Sequence, residues 1–315
     1  MRAAAAHLRV AVVVWLAPFA AIAHEGPEHE IEELTGQMNK TGVTAELLSE
    51  RAAEYRVLGR LPEATKDMER AAALAPRSVV VQRELARVLF LGGRAADAMA
   101  TVARGLALKP EEPADIASLR MLRAEILLSQ NENTKALEDC DAALKLHRQN
   151  PGWYLMRSEI QRRLKAHRER VAGLDEGIAE TGAGVLGIER VEALLDDGQS
   201  AAALKIIEPE LQDSRIKSSW LIRRARAFIG LGKIAEAGAD LKLALEEIGA
   251  RLNPKTPDAA LLLDKAQAHQ LLGDKKEALR AYEMARDRGA ADGVNEKIKL
   301  LEEPKQPVPT PPAKP

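Results

Sequence analysis

The chain has 315 residues, of which 46 are basic and 47 acidic, with aromatic residues at 3% and a single cysteine. The even charge balance leaves no basic footprint for nucleic acid, and one cysteine excludes an internal disulfide framework. Plentiful alanine and leucine, with few β-branched runs, favour helices packed closely through small side chains.

Residues 1–23 read as a secretory signal. Arg2 and Arg9 give a positive start, Val10 to Phe19 an apolar core, and Ala21-Ile22-Ala23 small residues at the positions a signal peptidase tests. The apolar stretch is short for a membrane span and is interrupted by Pro18. Cleavage after Ala23 removes two arginines and moves the formal charge from −1 to −3. The expected product is periplasmic or secreted, with no membrane span. His24 then becomes the N-terminus; its amine and ring, with His29, offer nitrogen donors of the kind that suit copper(II). Two histidines fall short of a recognisable ligand set, and a solvated leader is the alternative. Ile31, Leu34 and Met38 mark an amphipathic helix, so residues 24–44 are read as leader and N-terminal cap.

From residue 45 one phrase repeats. A turn residue is followed by small and apolar residues on one helical face: Gly59…Ala64…Met68…Ala71, Gly93…Ala98…Val102…Gly105, Asn131…Ala136…Cys140…Ala143. It continues as Lys165…Arg170…Leu174…Gly177, Gly198…Ala203…Ile207, Gly232…Ala237…Leu241…Ala244 and Gly273…Ala278…Tyr282…Ala285. The anchors fall at 59, 93, 131, 165, 198, 232 and 273, in steps of 34, 38, 34, 33, 34 and 41. With the anchor as position 15, units begin near 45, 79, 117, 151, 184, 218 and 259, and the array spans 45–292. The long steps place insertions at Pro110-Glu111-Glu112-Pro113 and Asn253-Pro254-Lys255-Thr256-Pro257, each a lengthened loop or a joint. Position 7 is basic in six units (Arg51, Arg123, Arg157, Arg190, Arg224 and Lys265), and position 23 is Asp67, Asp139 and Asp240 in three of them. Both positions are equidistant from the turn, so antiparallel helices would pair them; the alternative is an arginine stripe for an acidic ligand. Residues 293–303 are expected to form a C-terminal cap helix. Residues 304–315, with six prolines, favour extended polyproline II, as a disordered end or as a ligand for an aromatic groove.

Self-similarity at this period resembles the tetratricopeptide repeat, a helix-turn-helix of 34 residues. The second-helix half fits well, including Pro76 and Pro110 at the closing position. The first-helix half departs from the pattern, with Trp153 and Trp220 one place early; in the fourth unit Arg170 replaces an expected alanine, and in the fifth Pro209 lies inside the second helix. The resemblance implies an all-α fold, an α-solenoid in which about seven repeats wind into a right-handed superhelix, with first helices lining a concave groove for a peptide or partner helix. Carrying groove positions 5, 9 and 12 onto this chain gives Arg83, Arg87 and Phe90; Met121, Glu125 and Leu128; Leu155, Glu159 and Arg162; and Ile222, Arg226 and Ile229. Members that clamp a C-terminal carboxylate place asparagine at position 9, which here holds Ala53, Arg87, Glu125, Glu159, Glu192, Arg226 and Gln267, so that mode is disfavoured.

The sequence has no phosphate loop, His-Glu-x-x-His, paired metal-ligand cysteines or serine elbow. His147, His167 and His269 are scattered, and Cys140 takes a core position. The expectation is therefore no enzyme and no cofactor, copper excepted. The expected role is a periplasmic scaffold or adaptor binding a protein or peptide. A metal-handling accessory protein using His24 and His29, and a structural subunit of an envelope complex, are the alternatives.

Overall fold

The computed structural model describes residues 26–290 and 293–303. The expected signal segment, His24 and the proline-rich tail lie outside them. Among the described residues there are 16 helices and no strand. The chain divides into two compact units, Met1–Pro110 and Glu111–Pro315, and the division falls within the first proline-bearing insertion.

The first unit holds α1 (Pro27–Thr41), α2 (Ala45–Val57), α3 (Leu61–Leu74), α4 (Val79–Leu91) and α5 (Ala95–Ala107). Helix α1 buries Ile31, Leu34 and Met38 and packs on α2, so it covers the end of the array that would otherwise expose apolar surface. Thr44 and Ser78 cap α2 and α4, each accepting from the backbone N–H three residues on, at 3.2 and 3.3 Å.

The second unit holds α6 (Pro113–Ser129), α7 (Asn133–Leu146), α8 (Pro151–Arg163), α9 (His167–Thr181), α10 (Gly184–Asp196), α11 (Ser200–Asp213), α12 (Ser218–Gly230), α13 (Ile234–Arg251), α14 (Ala259–Leu272), α15 (Lys275–Asp287) and α16 (Val294–Glu302). Helix α11 runs through Pro209 without a break. Each helix packs on the next, and first helices also meet along the rows α6–α8, α8–α10, α10–α12 and α12–α14.

The turn explains the period. All seven anchors, Gly59, Gly93, Asn131, Lys165, Gly198, Gly232 and Gly273, have left-handed φ between 57° and 81°. That conformation reverses the chain between antiparallel helices, and glycine adopts it without a Cβ penalty. The two non-glycine anchors hold the same geometry, so they belong to the register although their residue types depart from it.

The core sits between the two helices of each repeat and between neighbours. Position 24 supplies Met68, Val102, Cys140, Leu174, Ile207, Leu241 and Tyr282, all buried. Position 20 is alanine in six units, likewise buried, which lets the helices approach closely. No helix has a core of its own, so stability comes from stacking.

Candidate functional site

The paired positions within repeats settle first. Arg51 forks onto Asp67 through Nε at 2.7 Å and Nη2 at 2.8 Å. Arg123 does the same to Asp139 at 2.5 and 2.6 Å, and Arg224 to Asp240 at 2.7 Å twice. In these three units the hydrogen bonds to aspartate, stronger than the opposing effect of burial, hold each guanidinium pKa above its ordinary value. These arginines are engaged inside their own repeats and do not form an open stripe. In the fourth unit position 23 is Gly173; Arg157 donates to its carbonyl at 2.9 Å and to Glu176 at 2.7 Å. Arg190 turns instead to Asp175 of the preceding unit.

The candidate groove residues separate by unit. In the first, Arg83, Arg87 and Phe90 are half-buried on α4, with Arg83 Nε donating to Glu84 at 3.0 Å. In the second, Met121 and Ile222, expected on a lining, are buried at 4% and 1% within the hydrophobic core. Helix α6 packs on α7 and α8, and α12 on α10, α11, α13 and α14, so position 5 there points into packing and not into a groove. Glu125, Leu128 and Leu155 are half-buried, and Ile229 is exposed.

Glu159, Arg162 and Arg226 line a chamber of about 780 Å³ in the second unit. Its walls come from α8, α10, α12 and α14, and α16 contributes Val294, Lys297 and Leu300. Positions 9 of four successive repeats, Glu159, Glu192, Arg226 and Gln267, all face it. One wall is charged and internally paired. Arg162 holds Glu159 at 2.7 and 2.9 Å, Arg226 bonds Glu192 and reaches Asp196 at 3.0 Å, and Arg223 holds Glu192 at 2.7 Å. Burial alone would raise the Glu159 pKa; Arg162 and Arg163 outweigh it and keep the carboxyl below its ordinary value. Leu263 and Leu271 of α14 and Val294 and Leu300 of α16 add apolar lining beside the polar Gln267, Gln270, Glu296 and Lys297 of the same helices.

Sequence reasoning did not assign Arg170 to this site. It replaces the small residue of position 20, is 2% exposed, and threads through the wall to reach Glu189 and Asp196 at 2.7 Å each and Ser158 at 2.9 Å. Burial works against its charge, and the two carboxylates reverse that, leaving its pKa raised. The signal was its departure from the repeat: a long cation at a packing position requires a partner elsewhere.

Cys140 is fully buried, its Sγ 3.6 Å from the Trp153 carbonyl, and burial pushes its pKa to about 12. It is packing, not a nucleophile. His29 lies on α1, while its proposed companion His24 is outside the described residues. Among the described residues no group of three or more His, Cys, Asp or Glu side chains is placed to hold a metal ion, and no helix is long and apolar enough to cross a membrane.

The fold and turn geometry define an all-α solenoid of stacked helix-turn-helix repeats. Residues 58–126 match the family model described as Tetratricopeptide repeat. Among solved structures, a tetratricopeptide repeat protein from Parabacteroides merdae ATCC 43184 aligns with TM-score 0.60 at 16% identity, over 87% of this chain and 100% of that one. The C-terminal part of a TPR repeat-containing protein from Cytophaga hutchinsonii aligns with TM-score 0.55 at 15% identity, over 80% and 98%. At such identities the likeness carries the fold. A comparison with curated proteins returned no match. Residues 58–126 thus match a tetratricopeptide repeat, and the chain has the fold of tetratricopeptide repeat proteins.

Proposed function

We propose that this protein is a non-enzymatic, exported adaptor that holds a peptide or partner helix in the chamber of its second unit. The observation that carries the reading is the convergence of position 9 from four successive repeats, with α16, on one chamber of about 780 Å³. That volume lies in the range of formed ligand sites, and a lining that mixes charged and apolar residues suits an amphipathic segment. Export rests on the signal-like pattern of residues 1–23.

Site-specific photocrosslinking in intact cells tests the site. A benzoylphenylalanine replacing Gln267, on the chamber wall, is expected to capture one protein partner. The same probe replacing Leu243, which is 52% exposed on α13, is expected not to. Capture from position 243 alone places the partner elsewhere. Capture from Arg83 alone moves the site to the first unit. Fractionation that leaves the protein in the cytoplasm overturns the location.

A further inference from the structure

Most of the chamber's charges answer one another; Lys297 is an exception. It is solvent-exposed on α16 and borders the chamber, with Nζ 5.5 Å from the centre of the Tyr282 ring, and among the described residues it forms no ion pair. Desolvation by the neighbouring chamber walls lowers its pKa although the residue remains exposed, and the positive charges of Arg226 and Arg162 lower it further, against an opposing pull from Glu192. An ammonium facing two guanidiniums is short of negative charge.

Tyr282 fixes a second donor beside it. Its hydroxyl donates to Gln270 Oε1 at 2.8 Å, which leaves the Gln270 amide N–H groups as the polar edge available to the chamber. One buried aromatic thus supports the ammonium on its ring face and orients the amide through its hydroxyl. Both groups offered are donors only, so the corner matches an acceptor-only partner, and a carboxylate is the acceptor proteins supply. The carboxylates on the wall are engaged elsewhere: Glu159, Glu189, Glu192 and Asp196 accept from arginines, and none forms an ion pair with Lys297. Glu296, the remaining acid on the lining, follows a helix direction different from that of Lys297 by one residue step. Next to the corner, Leu263, Leu271 and Leu300 add apolar lining.

We propose that the Lys297–Gln270–Tyr282 corner reads an acidic side chain in an extended peptide partner, with an aliphatic neighbour of that acid packing on Leu263, Leu271 and Leu300. The inference rests on the adaptor reading above and adds the chemistry of the partner. Charge complementarity is its warrant: a lone cation flanked by paired cations selects for an anion and penalises a basic peptide.

The test pans a displayed random dodecapeptide library against the chain lacking residues 1–23, and against Lys297→Glu and Lys297→Gln. Val294 and Ile298 anchor α16, so neither substitution removes its packing, and circular dichroism checks that both variants stay folded. Peptides enriched on the parent chain are expected to carry Asp or Glu beside Leu, Ile or Val. Their affinity, measured by fluorescence anisotropy, is expected to fall at least tenfold on Lys297→Glu and less on Lys297→Gln. Enrichment on Lys297→Glu is expected to shift toward Lys and Arg, which loss of a structural contact would not produce. Peptides enriched without acidic residues, and bound equally by all three chains, overturn the inference while leaving the adaptor reading intact. Enrichment of no peptide overturns both. Synthetic versions of an enriched peptide with free and amidated C-termini are expected to bind equally; dependence on the free terminus overturns the side-chain source.

Discussion

Arg51 on the first helix of the first repeat grips Asp67 on the second, sixteen residues away, with both carboxylate oxygens engaged at 2.7 and 2.8 Å. The aspartate is the more enclosed partner, its side chain 4% exposed against 13% for the arginine. Removing the cation therefore strands a buried anion. Arg51→Met keeps most of the apolar stem and is expected to cost about 3 kcal/mol at neutral pH. The double substitution Arg51→Met/Asp67→Leu should recover most of that, because no charge is left behind. Urea unfolding of the two variants checks this. A double variant as unstable as the single would show that the pair contributes through something other than charge satisfaction.

The turn anchors give a prediction of opposite sign. Lys165 holds φ 57° and Asn131 φ 62° where five other repeats use glycine. A left-handed residue with a Cβ costs roughly 1–2 kcal/mol, more than the entropy glycine loses on folding. Lys165→Gly is expected to stabilise the chain by about 0.5–1 kcal/mol, and Gly59→Ala to destabilise it by a similar amount. A lower urea midpoint for Lys165→Gly would overturn the account.

These two features are legible in the sequence because they are local and periodic. A turn residue and its flanking positions sit within a few residues, and positions 7 and 23 are related by the turn alone. The chamber was only partly legible. Glu159, Arg162 and Arg226 followed from the family's groove positions, but Met121 and Ile222 came from the same rule and are core. What separates them is how tightly neighbouring helices close over each position, which depends on residues from several repeats. The Lys297 corner was not legible, since it requires α16 to fold back beside α14 and α15, and no repeat position predicts that.

Asp264 carries a pH dependence. It is half-buried on α14, and burial raises its pKa above the ordinary 3.8, with Arg223 and Arg251 offsetting only part of the effect. The folded chain therefore binds this proton more tightly than the unfolded chain does. The resulting stability is fully present below about pH 4 and is lost as pH rises through the folded value. At neutral pH the ionised group is a net cost. Asp264→Asn is expected to raise the urea midpoint at pH 7, with the gain shrinking as pH falls toward the ordinary carboxylate range. A variant no more stable than the parent at pH 7 would show that the two arginines compensate in full.

Arg170 tests whether a departure from the repeat is a defect or a device. The other six repeats place alanine at its position, so Arg170→Ala restores the common residue. Packing alone would make that substitution neutral or favourable. The hydrogen bonds say otherwise: Glu189, Asp196 and Ser158 all depend on this guanidinium, and Asp196 is shared with Arg226 on the next first helix. Unit four has also made room for large polar and aromatic groups. A Cβ on Gly173 would meet Arg157 at 3.0 Å, and one on Gly177 would meet the Tyr154 ring at 2.6 Å. Alanine at 170 would thus leave a void, Glu189 with Ser158 but no cation, and Asp196 with Arg226 alone, at a cost of about 3 kcal/mol. The carboxylates are about a third exposed, at 28% and 31%, so water limits the loss. Arg170→Met, which keeps the stem and loses only the charge, should fall between the parent and alanine. If alanine instead matches or exceeds the parent in urea unfolding, the buried arginine is an exception the repeat merely tolerates.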